Sequence, residues 1–303
     1  MSRDSWVVVG GHPGIANLIG TAHGLGGTVR AVVIGPPSLA LRAATAGVDQ
    51  VVWLGEPVDA PVEAYAKAAG EVVAAQPGVV FVGRRPAERV LAGAVAAALG
   101  APVLTDVRSV AADGEQIVVT HSTYNGAAQQ TVAHAGPVVL VIDGGGIPAQ
   151  ASGAAPVTET LTQPRQGITV LETTPPAFAA ADLSSATRVI GVGRGLRCKE
   201  DLPLVESLAD AAKAELACSR PLAEGLNWLG RDRYLGISGQ QIAPELYLAV
   251  GLSGQLQHMA GVRGAKVIVS VNSDPDAPIV AEADYVLVGD LYELVPAITA
   301  ALR

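Results

Sequence analysis

Short apolar runs recur along this chain, and most are followed by a longer stretch whose apolar residues fall at helical spacing. Trp6–Val9, Val29–Ile34, Gln50–Trp53 and Gly78–Val82 read as strands. Ile15–Leu25, Leu39–Ala46, Val62–Ala75 and Ala87–Leu99 read as the helices between them. Parallel neighbours need a crossover, usually a helix, so the alternation predicts a parallel sheet covered on both faces. The pattern breaks after residue 101. Val103–Val110, Gln116–Thr120 and Thr131–Ala133 look antiparallel, with turns at Asp113-Gly114 and Asn125-Gly126. Pro137–Ile142 is a further buried strand, closed by Gly144-Gly145-Gly146.

Alternation returns at residue 187. Thr187–Val192, Leu246–Val250, Lys266–Val271 and Tyr285–Val288 read as strands. Leu204–Leu216, Gln255–Gly261 and a segment from Leu291 read as helices. The expected fold is therefore α/β: two doubly wound domains, the first with an antiparallel hairpin excursion and the second Rossmann-like. The domains are expected at 1–186 and 187–303. The connection lies at about 149–186, rich in Ala, Thr, Pro, Gln and Ser, with one strand at Ile168–Glu172.

Composition narrows the function. Net charge is −8, which argues against nucleic acid, since phosphate binding needs a basic face. The most apolar stretch, from Val90 to Leu104, is too short to span a bilayer. Ser5-Trp6-Val7-Val8-Val9 enters a strand at once, which leaves no room for a leader. Cys198 and Cys218 form neither a disulfide framework nor a metal cluster. A cytoplasmic protein without membrane insertion is expected.

Ligands of doubly wound sheets bind at the carboxyl ends of strands, at a switch point. That rule selects the turns at 191–195, 251–254, 272–274 and 289–290. Gly191-Val-Gly-Arg-Gly195 lacks full dinucleotide spacing, and a plain tight turn accounts for it equally well. Ser253 reads as an N-cap or as part of a helix N-terminus offered to a phosphate or ring edge. His258, just inside that helix, could sit partly exposed or could donate to a carbonyl that gains charge. Asp290 fits a capping box with Glu293 or a ribose hydroxyl contact. Asn272 fits an Asx-turn or an adenosine contact. Arg220, before Pro221, stands in a turn. No nucleophile with a base at defined spacing stands out, so the pattern suits a cofactor holder more than a hydrolase. An NAD-dependent oxidoreductase is the alternative reading.

From residue 187 onward the chain resembles the alpha subunit of electron transfer flavoproteins. The resemblance rests on Gly193-Arg-Gly-Leu196, Cys218-Ser-Arg-Pro221, Arg231-Asp-Arg-Tyr-Leu-Gly-Ile-Ser-Gly239, Ala243-Pro-Glu-Leu-Tyr-Leu-Ala-Val-Gly-Leu-Ser-Gly254, Gln257-His258, Val271-Asn-Ser-Asp-Pro-Asp-Ala-Pro-Ile279 and Ala283-Asp-Tyr-Val-Leu-Val-Gly-Asp-Leu291. The first domain matches more loosely, in Leu104-Thr-Asp-Val107, the hairpin and Pro137–Ile142. The resemblance implies a heterodimer with a beta subunit and one FAD held mainly by the second domain. It also implies flavoprotein dehydrogenases as donors and a quinone reductase or other acceptor. An electron-bifurcating variant fed by NADH is the variation to weigh.

By matched position, Arg220 would lie by the isoalloxazine and favour its negatively charged reduced forms. Ser238 would bond near one ring edge, between Gly236 and Gly239, and His258 would face a ring carbonyl. Ser219, Ser253, Gly254, Gln257 and Arg194 would line the turn under the ring and the ribityl phosphate, and Asn272 and Asp290 would hold the adenosine half. Ile237 stands where the family often has Gln, and Ser273 and Gln240 where it has Lys. Asp143 stands where it commonly has Arg, and the Pro221–Trp228 loop looks one residue longer than usual.

Overall fold

Nine strands of the first half form one sheet and five of the second half form another. The structure, a computed structural model, describes residues 4–12, 14–124, 128–142, 153–162, 164, 168–173, 183 and 186–303. The chain divides into two units, Met1–Thr173 and Thr174–Arg303.

In the first unit β1 (Ser5–Gly10), α1 (Ala16–His23), β2 (Val29–Ile34), α2 (Pro37–Thr45), β3 (Gln50–Trp53), α3 (Ala66–Ala75), β4 (Val79–Gly83) and α4 (Pro86–Leu99) alternate in order. β5 (Val103–Asp113), β6 (Gln116–Thr123), β7 (Ala128–His134), β8 (Val138–Ile142) and β9 (Val157–Glu159) follow. The sheet order is β7-β6-β5-β8-β4-β1-β2-β3-β9. Only the β5–β6 and β6–β7 pairs are antiparallel, so the hairpin excursion extends one edge of a parallel sheet. Successive side chains of a strand face opposite ways, and here both faces are buried. Val7, Val9 and Phe81 pack with α1 and α2, whereas Trp6, Val8, Val80 and Val82 pack with α3 and α4. This explains why the central strands read as unbroken apolar runs.

The second unit contains β10 (Arg188–Val192), α5 (Leu202–Ala212), β11 (Glu215–Cys218), β12 (Leu246–Val250), α6 (Leu256–Met259), β13 (Val267–Asn272), α7 (Pro278–Glu282), β14 (Tyr285–Val288) and α8 (Leu291–Leu302). All strands are parallel, in the order β11-β10-β12-β13-β14. From β10 the chain steps outward to β11, then returns past β10 to β12. The direction of winding reverses between β10 and β12, and a crevice opens there. β14 forms an edge of this sheet, and all four of its residues are exposed, Tyr285 to 66%.

Three sequence-based expectations need correction. The helix expected over Leu204–Leu216 ends at Ala212, where Lys213 adopts φ 50° and its N–H bonds back to the Asp210 carbonyl. Leu216 continues the helical spacing but lies in β11, paired with Ile190; a short apolar run fits either element until pairing decides. Ile168–Glu172 forms no strand. Leu171 is 96% exposed, Val170 N–H bonds to the Asp59 carbonyl, and the sheet edge beside β3 is taken by β9. The helix over Gln255–Gly261 shortens to the single turn α6. The Asn125-Gly126 turn, Asp143 and Gly144-Gly145-Gly146 lie outside the described residues.

Candidate functional site

The carboxyl ends of the second sheet carry two cavities that share a wall. The larger, about 820 Å³, is lined by Arg194, Ser219, Arg220, Ser238, Ser253, Gly254, Gln257 and His258, with Glu224, Tyr234 and Ile237 beside them. The smaller, about 410 Å³, is lined by Arg197, Ser253, Asn272, Ser273, Asp290 and Tyr292. Gly251, Leu252 and Ser253 belong to both. The pair therefore makes a trough along the strand ends, divided by that wall. Ten of the twelve sequence-predicted site residues line it.

Gly236 and Gly239 do not line it. A Cβ on Gly236 would come 2.8 Å from the Gln257 carbonyl oxygen, and one on Gly239 would collide with Tyr234. These glycines are small so that the wall behind the trough can close.

The bareness of the 251–254 turn has a similar cause. A Cβ on Gly251 would stand 2.8 Å from the Gly195 Cα, and one on Gly195 would stand 2.6 Å from the Gly251 Cα, so the two loops lie back to back. Gly254, at φ 74°, abuts the backbone of Ile279, whose N–H bonds to the Ser253 carbonyl. Ser253 is not an N-cap, since α6 begins three residues later, after Gln255. Glycine at these places first serves close contact with a second loop or with α7, and that contact sets the trough floor.

His258 is buried, with its Nε2 2.7 Å from the hydroxyl of Tyr247. Tyr247 is fully buried in β12, and a Cβ on Gly191 of β10 would collide with its hydroxyl. Burial pushes the His258 pKa down to about 4, although the Leu235 carbonyl pulls the other way. Burial also pushes the Tyr247 phenol up. Both groups are therefore neutral near pH 7. His258 Nδ1 is buried and has no hydrogen-bond partner among the described residues. If the phenol donates to Nε2, the ring proton sits on Nδ1 and one donor is left unmet. The opposite arrangement would strand both the phenol proton and the Nδ1 lone pair, so the first is favoured. His258 is thus a neutral donor. Tyr247→Phe is expected to leave Nε2 unpartnered and cost about 1–3 kcal/mol. An unchanged urea midpoint would contradict this.

Arg220 follows β11 and points its Nε at Glu224 Oε2, 2.6 Å away. Ser238 Oγ lies 3.1 Å from the Tyr234 hydroxyl. In the smaller cavity Asn272 donates to the Leu252 carbonyl at 2.7 Å and accepts from Asp274 N–H at 3.0 Å. Its amide therefore holds the shared wall in place. Asp290 caps α8 by accepting from Tyr292 N–H and also meets Arg197 at 3.3 Å. Arg197 lies over the Tyr292 ring, 4.3 Å from its centroid.

Sequence reasoning missed Glu224, Tyr247, Arg197 and Tyr292. Glu224 was findable as the opposite charge four residues after Arg220. Tyr247 carried a weaker signal: a tyrosine in a buried strand needs a hydroxyl partner.

Among the described residues no cluster could hold a metal ion, and no helix is long and apolar enough to cross a membrane. The donors present suit a flat ring with carbonyls at one end of the trough and a sugar–purine at the other. The larger cavity is lined by a guanidinium and an imidazole, and the smaller by carboxylate and amide groups at the ends of β13 and β14.

Comparison with known proteins agrees with this. Residues 12–166 match the model of the electron transfer flavoprotein domain, and residues 182–263 match that of the electron transfer flavoprotein FAD-binding domain. The chain is 37% identical to Protein FixB of Salmonella typhimurium over 306 residues, covering 98% of this chain and 97% of that protein. It is 36% identical to Protein FixB of Escherichia coli O157:H7 over 305 residues, with 98% and 97% covered.

Proposed function

The chain belongs to the electron transfer flavoprotein family as an alpha-type subunit, and from that premise we propose that its trough holds FAD in the orientation described below. The observation that carries the reading is that two cavities adjoin at the carboxyl ends of these strands, where such sheets take nucleotides. The larger cavity takes the isoalloxazine. Arg220 lies beside it, His258 faces a ring carbonyl, and Ser238 serves one edge. Gln257, Ser253, Gly254, Ser219 and Arg194 follow the ribityl and phosphate path. Asn272 and Asp290 serve the adenosine half, Asn272 by holding the wall and Asp290 through Oδ2, the oxygen it shares with Arg197.

When bound, the flavin takes up and releases electrons. The protein's own part is electrostatic. Arg220 supplies positive charge and His258 a neutral polar ring, both beside the space where negative charge grows on reduction. No residue of the trough is placed as a nucleophile with its base, and the chain works as a carrier without an organic substrate. The beta subunit completes the heterodimer. Flavoprotein dehydrogenases deliver electrons, and a quinone reductase or another acceptor takes them. Two unpaired cysteines, Cys198 and Cys218, fit a reducing cytoplasm.

The test is to co-produce the chain with its neighbouring-gene partner and record the visible spectrum. Bound yellow flavin, reduced by a dehydrogenase and not by NADH alone, is the expected result. Direct reduction by NADH would instead indicate a bifurcating carrier or an NAD-dependent enzyme. A colourless complex that takes up no added FAD would overturn the reading.

A further inference from the structure

We propose that Glu224 is a positioning residue that tunes the bound flavin through Arg220; this rests on the reading that a flavin occupies the larger cavity. One carboxylate stands between two guanidiniums. Its Oε2 lies 2.6 Å from Arg220 Nε and its Oε1 lies 3.1 Å from Arg231 Nη2. The side chain of Glu224 is 26% exposed, against 64% for Arg220 and 79% for Arg231. The carboxylate is therefore the sheltered anchor, and the arginines are the arms that would otherwise swing in water.

Its backbone is fixed too. Pro221–Gly225 forms one π-helical turn, closed by Leu226 N–H to the Pro221 carbonyl at 2.9 Å. Leu222 and Ala223 plug that turn into the core. A π turn absorbs one extra residue, which matches the lengthened loop seen in the sequence. The turn delivers Glu224 to the cavity wall within reach of Arg220, and both line the same space.

Two consequences follow for a ring in that space. Glu224 holds the guanidinium of Arg220 at the cavity, which supports flavin retention. It also offsets part of the Arg220 charge. Since Arg231 draws on the other oxygen, the three groups together keep one net positive charge. Arg220 alone would favour the reduced ring more strongly, and Glu224 tempers it.

The two roles separate by mutation. In Glu224→Gln the amide oxygen can still accept from Arg220, but the charge is gone. The measurement is the two-electron midpoint potential of the co-produced complex with free FAD in excess. Dithionite supplies the electrons and the buffer the protons. Glu224→Gln is expected to keep its flavin and move the potential positive by about 30 mV, a tenfold change in the two-electron equilibrium constant. Glu224→Ala is expected to show the same sign of shift together with several-fold weaker flavin retention. In an Arg220→Gln background the Glu224→Gln shift should fall to less than half. Should Glu224→Gln not accumulate, Glu224→Asp, whose charge is drawn back by one methylene, should shift the potential the same way by less.

An unchanged potential in a yellow complex, or an undiminished shift without Arg220, overturns the role of Glu224. A complex that binds no FAD overturns the underlying reading instead.

Discussion

Gly254→Ala is expected to abolish flavin retention and to destabilise the second unit by roughly 2–5 kcal/mol. Two costs add. Gly254 sits at φ 74°, a left-handed conformation that costs an L side chain about 1–2 kcal/mol. The new Cβ would also overlap Ile279, coming within 2.5 Å of its backbone nitrogen. A flexible neighbour could rotate away, but here the obstacle is main chain at the start of α7, tied by the Ile279 N–H bond to the Ser253 carbonyl. Relief requires the 251–254 turn and α7 to part, and that turn is the wall shared by both cavities. Urea unfolding and the flavin-to-protein absorbance ratio report the two effects. A variant that stays yellow with a parental midpoint would show that the turn yields more easily than its contacts imply.

Acidification is the second large effect. The His258 pKa is about 4 in the folded chain, against about 6.5 unfolded. Between those values the unfolded chain binds a proton that the folded chain refuses, so stability falls as pH drops through the window. It is full above about pH 6.5 and reaches its floor below about pH 4. The loss is roughly 3 kcal/mol. His258→Gln, which keeps a polar partner for Tyr247, should remove that part of the slope. Urea midpoints at pH 7, 5.5 and 4 for both proteins make the comparison; equal slopes would mean that His258 does not titrate as its burial dictates. The same burial settles a functional point. His258 is uncharged near neutrality, so the positive charge offered to the larger cavity comes from Arg220 and Arg194.

The fold was readable wherever one physical cause dominated. Strands buried on both faces, such as Val7–Val9 and Val138–Ile142, announce themselves as apolar runs, and the strand-end rule alone pointed to the turns that line the trough. Two or more causes acting on one residue hid the rest. Leu216 fits a helix stripe and a buried strand equally, and only its pairing with Ile190 decides. Glycines at 195 and 251 lie against each other and Gly254 against the backbone of α7, contacts between segments far apart in the chain. The Tyr247–His258 bond joins a strand to the turn after it through a fully buried hydroxyl, and no local spacing encodes it. The family motifs marked His258 and Arg220 as important but did not mark the groups that govern them.

The open flank of the second sheet carries a practical warning. Tyr285–Val288 presents four exposed apolar side chains beside a ladder with no neighbour on that side among the described residues, and bare edges of this kind recruit whatever strand they meet. At high concentration the polypeptide is expected to self-associate through that rim, which turbidity would report.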